Sequence, residues 1–194
     1  MKNWLTELRI SLVAVLSLAV ILCGLYPAAV WVLAQGLFPA KANGSLIERS
    51  GTTLGSSLIG QSFSGPEYFH PRPSAAGQGY DAARSGGSNL GPTSKKLVDA
   101  VRRRASDYRA ENSLGPEIMV PADAVTASAS GLDPHISLKN ALLQMPRVAR
   151  TRGLREMAVR KLVEAYTGGR DLGILGEPGV NVLMLNLALN GTLK

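Results

Sequence analysis

The chain has 194 residues, 45% hydrophobic and 18% charged, with 21 Lys or Arg against 14 Asp or Glu for a net charge of +7. One cysteine excludes a disulfide framework and a cysteine-based metal centre, and two histidines are too few ligands for a stable zinc site. The basic excess is dispersed, without the long run that marks a nucleic-acid tract.

From Ile10 to Ala40 no side chain is charged. A helix rising about 1.5 Å per residue crosses the hydrocarbon core in roughly 20 residues, so the stretch predicts a single transmembrane helix, placed at residues 10–34. Trp4 and Trp31 would lie about 40 Å apart on a continuous helix extending beyond that span, at the two interfaces. Ala40-Lys41-Ala42 has the small-residue pattern of a cleavage site, but a cleavable leader has an apolar core of only about 7–15 residues. Lys2 and Arg9 face only Glu7, which by the positive-inside rule puts residues 1–9 in the cytoplasm, although Lys41 and Arg49 follow the exit. Residues 35–194 then form one extracytoplasmic soluble domain, reached through a single pass of the cell (inner) membrane.

Within that domain the predicted class is α+β, with short strands first and helices in the second half. Residues 41–90 are rich in Gly, Ser and Pro with brief apolar bursts, and Ile47 to Leu58, centred on Arg49-Ser50-Gly51-Thr52, reads as a hairpin. Pro92 opens a helical segment in which Leu97, Val101, Ala105 and Tyr108 share a face. Ser137 caps a second helix with a stripe of Leu138, Ala141, Leu142 and Met145, which Pro146 is expected to kink or end. Leu154, Ala158, Leu162 and Ala165 mark a third, stopped by Gly168-Gly169. Residues 182–189 lack β-branched side chains after Val182 and read as helix. Arg102-Arg103-Arg104 and the series Arg147, Arg150, Arg152, Arg155 read as solvated helix faces, or as a docking surface for an acidic partner or anionic lipid.

Three blocks have the composition of shaped loops: Tyr68–Ala75 (YFHPRPSA), Ser85–Pro92 (SGGSNLGP) and Thr126–Ser137 (TASASGLDPHIS). Proline fixes φ and glycine reaches φ > 0, so such loops hold one conformation and suit binding. Their interaction candidates are His70, Arg72, Ser88, Asn89, Asp133 and His135. A serine hydrolase would draw on Ser128 or Ser130 with His135 or His70 and Asp133 or Asp81, but the G-x-S-x-G elbow is absent. Ser85–Gly91 has the glycine content of a phosphate cradle without the Lys-Ser/Thr of a P-loop, and a turn into the next helix accounts for it. An anchored extracytoplasmic hydrolase and a solute-binding module are the alternatives that these residues leave open.

The three blocks in this order, behind one N-terminal anchor, together with Gly44-Ser45-Leu46-Ile47, Leu58-Ile59-Gly60-Gln61, Arg147-Val148-Ala149 and Asn181-Val182-Leu183, resemble the C subunit of the Kdp potassium-transporting P-type ATPase. Ala129 departs from the pattern, where glycine is usual between the two serines. The resemblance implies a non-catalytic accessory subunit in a complex with a potassium-selective channel-like subunit, an ATP-hydrolysing P-type subunit and a small membrane peptide, in contact with membrane lipid and not with nucleic acid. It also implies a catalytic chaperone that raises the ATP affinity of the hydrolysing subunit. No cofactor is then held tightly by this chain, and ATP enters through that subunit. A glutamine is proposed in the family to touch nucleotide, and the matching position here is Gln144. The topology read from the anchor puts Gln144 outside, across the membrane from cytoplasmic ATP.

Overall fold

The computed structural model describes residues 3–170 and 172–191. The chain divides after Leu46 into two compact units. The first is dominated by one continuous helix, α1, over Trp4–Leu37, none of it buried against protein. It is α-helical at Trp4–Ala19 and Tyr26–Leu37, with a π-helical turn at Val20–Leu25 between them. Pro27 gives the turn a cause: it has no N–H and its ring crowds the carbonyl four residues back, so the helix widens just before it, and the Tyr26 N–H bonds back to the Ile21 carbonyl. A short helix, α2 (Pro39–Ala42), follows.

The folded unit opens on the expected hairpin, β1 (Leu46–Arg49) and β2 (Thr52–Ser56). Ser50 (φ 52°) and Gly51 (φ 78°) supply the two positive φ angles of a two-residue hairpin turn. Helix α3 (Lys95–Asn112) begins at Ser94, whose hydroxyl accepts the Leu97 N–H, two residues after Pro92. The single turn α4 (Ala122–Val125) precedes β3 (His135–Ile136), α5 (Leu138–Arg152), α6 (Glu156–Ala165), β4 (Thr167–Gly168), β5 (Gly179–Asn181) and α7 (Val182–Leu189). The other sheet, of three strands, has β5 at its centre, antiparallel to both neighbours, with Ile136 and Thr167 both opposite Val180. The α+β class holds, and these three strands are added to the helices of the second half.

Several expectations shift in detail. Helix α5 does not end at Pro146 but continues to Arg152, where Gly153 takes φ +64° and the Leu154 N–H closes on the Ala149 carbonyl. Its buried face is Asn140, Ala141, Gln144, Arg147, Val148 and Ala149, while Leu138 is 37% exposed and Met145 packs against the core from the edge. On α6 the buried residues are Val159 and Val163 rather than Leu154 and Ala158, and the helix stops at Ala165 before Gly168 enters β4. The segment 182–189 is helical, capped by the Asn181 side chain accepting the Met184 N–H.

The core gathers Ile136, Ala141, Val148, Val159, Val163, Val180, Val182 and Leu185 around Phe69, a loop residue with no exposed surface. Phe69 thus fastens the first shaped loop to the helices. Replacing it with alanine is expected to destabilise the folded unit by about 3–5 kcal/mol, read as a lower urea midpoint for the detergent-solubilised chain.

Candidate functional site

Segment 66–74 is held residue by residue. Asn186 of α7 accepts the Phe69 N–H and donates to the Phe69 carbonyl, both at 2.9 Å. Gln144 of α5 does the same to the next residue, accepting the His70 N–H at 2.7 Å and donating to the His70 carbonyl at 3.1 Å. Arg147 donates to the Pro66 and Tyr68 carbonyls, and Arg152 to the Glu67 carbonyl at 2.6 Å, with its guanidinium 4.9 Å from the centre of the Tyr68 ring. Further along, Arg72 pairs with Asp133 at 2.9 Å, the Tyr80 hydroxyl donates to the Arg72 carbonyl, and Ser74 Oγ donates to the Gly131 carbonyl at 2.7 Å.

Behind this strap runs a buried polar network. Gln144, 1% exposed, uses its full capacity: Oε1 accepts from His70 and Arg147 Nη2, and Nε2 donates to His70 and Asn140 Oδ1. Asn140 also accepts the Tyr108 hydroxyl at 2.8 Å and donates to Asp123 at 2.9 Å. Arg147, 3% exposed, donates from Nε to Asn112 at 3.0 Å. Burial pulls its guanidinium below the usual range, with Glu111 and Tyr108 opposing. Burial also pushes the Tyr108 phenol well up, reinforced by Asp123. Arg147 is therefore a core residue, not the solvated or docking residue that its charge suggested, because four acceptors are built around it.

The three shaped blocks converge on one another. Gly86 N–H and Ser85 Oγ both donate to the Ser130 carbonyl, at 2.8 and 2.9 Å. At the crossing, Gly131 has φ +68°, and a Cβ there would come within 2.6 Å of Ala76 N and 2.7 Å of the Gly86 carbonyl. Only glycine fits both the backbone conformation and the space. Ala129, in contrast, does not have the positive φ that favours glycine, so its methyl adds no backbone strain.

The six interaction candidates fall in different places. His70 and Arg72 line an open cleft of about 310 Å³ with Arg104, Asp107, Glu111 and Gln144. His70 Nδ1 faces Glu111 Oε1 at 3.0 Å and Nε2 faces the Gly65 carbonyl at 2.9 Å. Arg72, Asp133 and His135 meet in a second cleft, where Asp133 Oδ1 accepts the His135 N–H at 2.9 Å. Burial alone would raise the Asp133 carboxyl, but hydrogen bonds from His135 and Arg72 hold it below the usual carboxylate range. Ser88 lines a third, beside Leu97 and Arg104, and Asn89 is exposed with φ 50°. Ser128 and Ser130 contact each other at 3.5 Å, while His135 Nδ1 lies 3.5 Å from Asp133. Among the described residues no group of three or more His, Cys, Asp or Glu is placed to hold a metal. Asn140 and Asn186, which no sequence motif singles out, carry much of the network together with Arg147, whose charge points to the surface instead. Their signal was a polar residue at helical spacing within an apolar face.

Comparison with known proteins bears on what this assembly belongs to. A family model described as K+-transporting ATPase, c chain (KdpC), matches residues 8–191. The chain belongs to the KdpC family. The potassium-transporting ATPase KdpC subunit of Nitratidesulfovibrio vulgaris is 56% identical over 187 residues, 96% of this chain and 94% of that protein. The KdpC subunit of Mycobacterium tuberculosis is 56% identical over 165 residues, covering 85% and 87% of the two chains. That of Rhodopseudomonas palustris is 53% identical over 203 residues, covering 98% and 99%.

Two pH effects follow from the site. Because the folded Asp133 carboxyl lies below its unfolded value of about 3.9, its stabilisation is complete above that value and is lost as pH falls through the folded one. Asp133→Asn is expected to flatten the acid limb of the stability profile below about pH 4, measured by urea unfolding at stepped pH. Burial pushes the Tyr80 phenol up to about 12, so the stability tied to it is lost between about pH 10 and 12, and Tyr80→Phe removes that alkaline limb.

Proposed function

We propose that this chain is the accessory subunit of a Kdp-type potassium-import ATPase, anchored by α1 with its N-terminus in the cytoplasm and its folded unit outside. The observation that carries the reading is the family match over residues 8–191 on a chain with one long apolar helix and a folded unit behind it. In this arrangement residues 1–9 are cytoplasmic, 10–34 span the membrane and 35–194 lie outside. The helix packs against the membrane subunits, with Gly24, Ala28 and Ala29 small enough for close approach. The folded unit covers the outer side of the path by which potassium reaches the channel-like subunit. The ATP-hydrolysing subunit and a small membrane peptide complete the assembly. His70, Arg72, Ser88, Asn89, Asp133 and His135 line or flank the surface offered to those partners.

For Gln144 we favour a positioning role. Its carboxamide is saturated by His70, Asn140 and Arg147, which supports an effect on ATP affinity passed through the shape of the 66–74 strap rather than by contact with nucleotide. In the purified complex, Gln144→Ala is expected to raise the KM for ATP, and Asn186→Ala, which releases the neighbouring residue from the other helix, to raise it equally. An effect confined to Gln144 would favour direct contact. Replacing residues 1–36 with an unrelated anchor is expected to lower recovery of the complex and its potassium-dependent ATPase activity. Protease added outside intact cells should cleave the folded unit, and protection would overturn the topology.

A further inference from the structure

Between β4 and β5 the folded unit displays a small apolar tip. Leu172, Ile174 and Leu175 are 89%, 74% and 56% exposed, in a unit whose other aliphatic side chains mostly face the core. The base of the loop is closed. Strands β4 and β5 pair through Thr167↔Val180 and Gly168↔Gly179, and Arg170 Nη2 reaches both Glu177 carboxylate oxygens at 2.8 and 2.7 Å. Gly173 and Gly176 take φ 78° and 76°, and Leu172 itself takes φ 54°, a region that a bulky side chain rarely adopts. Exposed aliphatic side chains raised on a charged base, where Arg170 pairs with Glu177 and the sequence adds the acidic Asp171, have the chemistry of a shallow membrane contact: the apolar tip enters the headgroup–acyl boundary and the charged groups stay among the headgroups.

Two further features favour lipid as the occupant. Eight residues separate Leu37, the end of α1, from Leu46, where β1 begins, so the folded unit starts within about 30 Å of a bilayer surface. Beyond residue 40 the chain carries 19 Lys or Arg against 13 Asp or Glu, which draws it toward anionic headgroups. We propose that the 172–175 tip inserts into the bilayer that holds α1, as a second attachment point that fixes how the folded unit faces the membrane. The proposal rests on the membrane-anchored reading of α1 and is independent of the partner assignments.

The test uses the full chain with Cys23→Ala, labelled with the environment-sensitive dye NBD at Ile174→Cys and reconstituted in phosphatidylcholine–phosphatidylglycerol vesicles. The same label at Ser106→Cys, on an exposed position of α3, serves as control. The expected result, without the other subunits, is a blue-shifted emission at 174 that is lost when brominated lipids replace the ordinary ones, with neither change at 106. A chain that floats with the vesicles yet shows no bromolipid quenching at 174 overturns the proposal. A blue shift that needs the other subunits and ignores bromolipid overturns it in favour of a protein groove. A chain that fails to float overturns the anchor reading, and the lipid contact with it.

Discussion

Two buried carboxamides, from Gln144 and Asn186, grip the N–H and C=O of consecutive residues in an otherwise irregular segment, and the folded unit is organised around that grip. An extended strap has no ladder of its own, so its buried N–H and C=O groups would each cost about 1–3 kcal/mol if left unpaired. Here the pairing is supplied by side chains from helices on two different elements, and the same helices bury Phe69 between them. Arg147 is affordable in the core for the same reason: its donors end on Asn112, Gln144 and the carbonyls of Pro66 and Tyr68. Removing one partner would strand the others, which makes the network all-or-none.

What could be read in advance follows from which forces leave a local trace. The anchor, the Ser50-Gly51 hairpin, the Ser137 and α3 helices and the helical character of residues 182–189 are set by charge, turn chemistry or periodicity within a few residues, and all were legible. Strands β3, β4 and β5 are two or three residues long, too short for any alternation to show, and exist because the helices bring them together. The face of α5 is legible only in part, at Ala141 and Met145, because counting apolar residues favours Leu138 and Leu142, whereas the buried face is half polar. Asn140, Gln144 and Arg147 follow the helical repeat as faithfully as Ala141 and Val148. Their partners lie 74 to 81 positions away in Gln144–His70 and Arg147–Pro66, a distance at which sequence pattern carries no signal.

The shaped loops were recognisable as loops but not as one object. Composition marked Tyr68–Ala75, Ser85–Pro92 and Thr126–Ser137 separately, and their contact at Gly131 depends on a packing so close that a Cβ there would fall within 3 Å of Ala76 N and the Gly86 carbonyl, which no single block encodes. The candidate residues accordingly divide: His70 and Arg72 share a cleft with the Gln144 network, Asp133 and His135 face another beside Arg72, and Ser88 belongs to a third. A surface with several shallow, mixed-charge clefts on a rigid frame suits contact with other proteins better than capture of one small molecule.

The double grip on Phe69 and His70 also dictates an order of events during synthesis. Its two holders lie 117 and 74 residues downstream, so the strap has nothing to fold onto while it is being made. Local hairpins and helices can form early, but the strap gains its holders in two stages, Pro66 to Tyr68 and His70 from α5, then Phe69 from α7. High separation between contacting residues slows folding and leaves apolar segments uncovered in the meantime. The grip on Phe69 is therefore the last to become available, from a side chain 117 positions further along the chain.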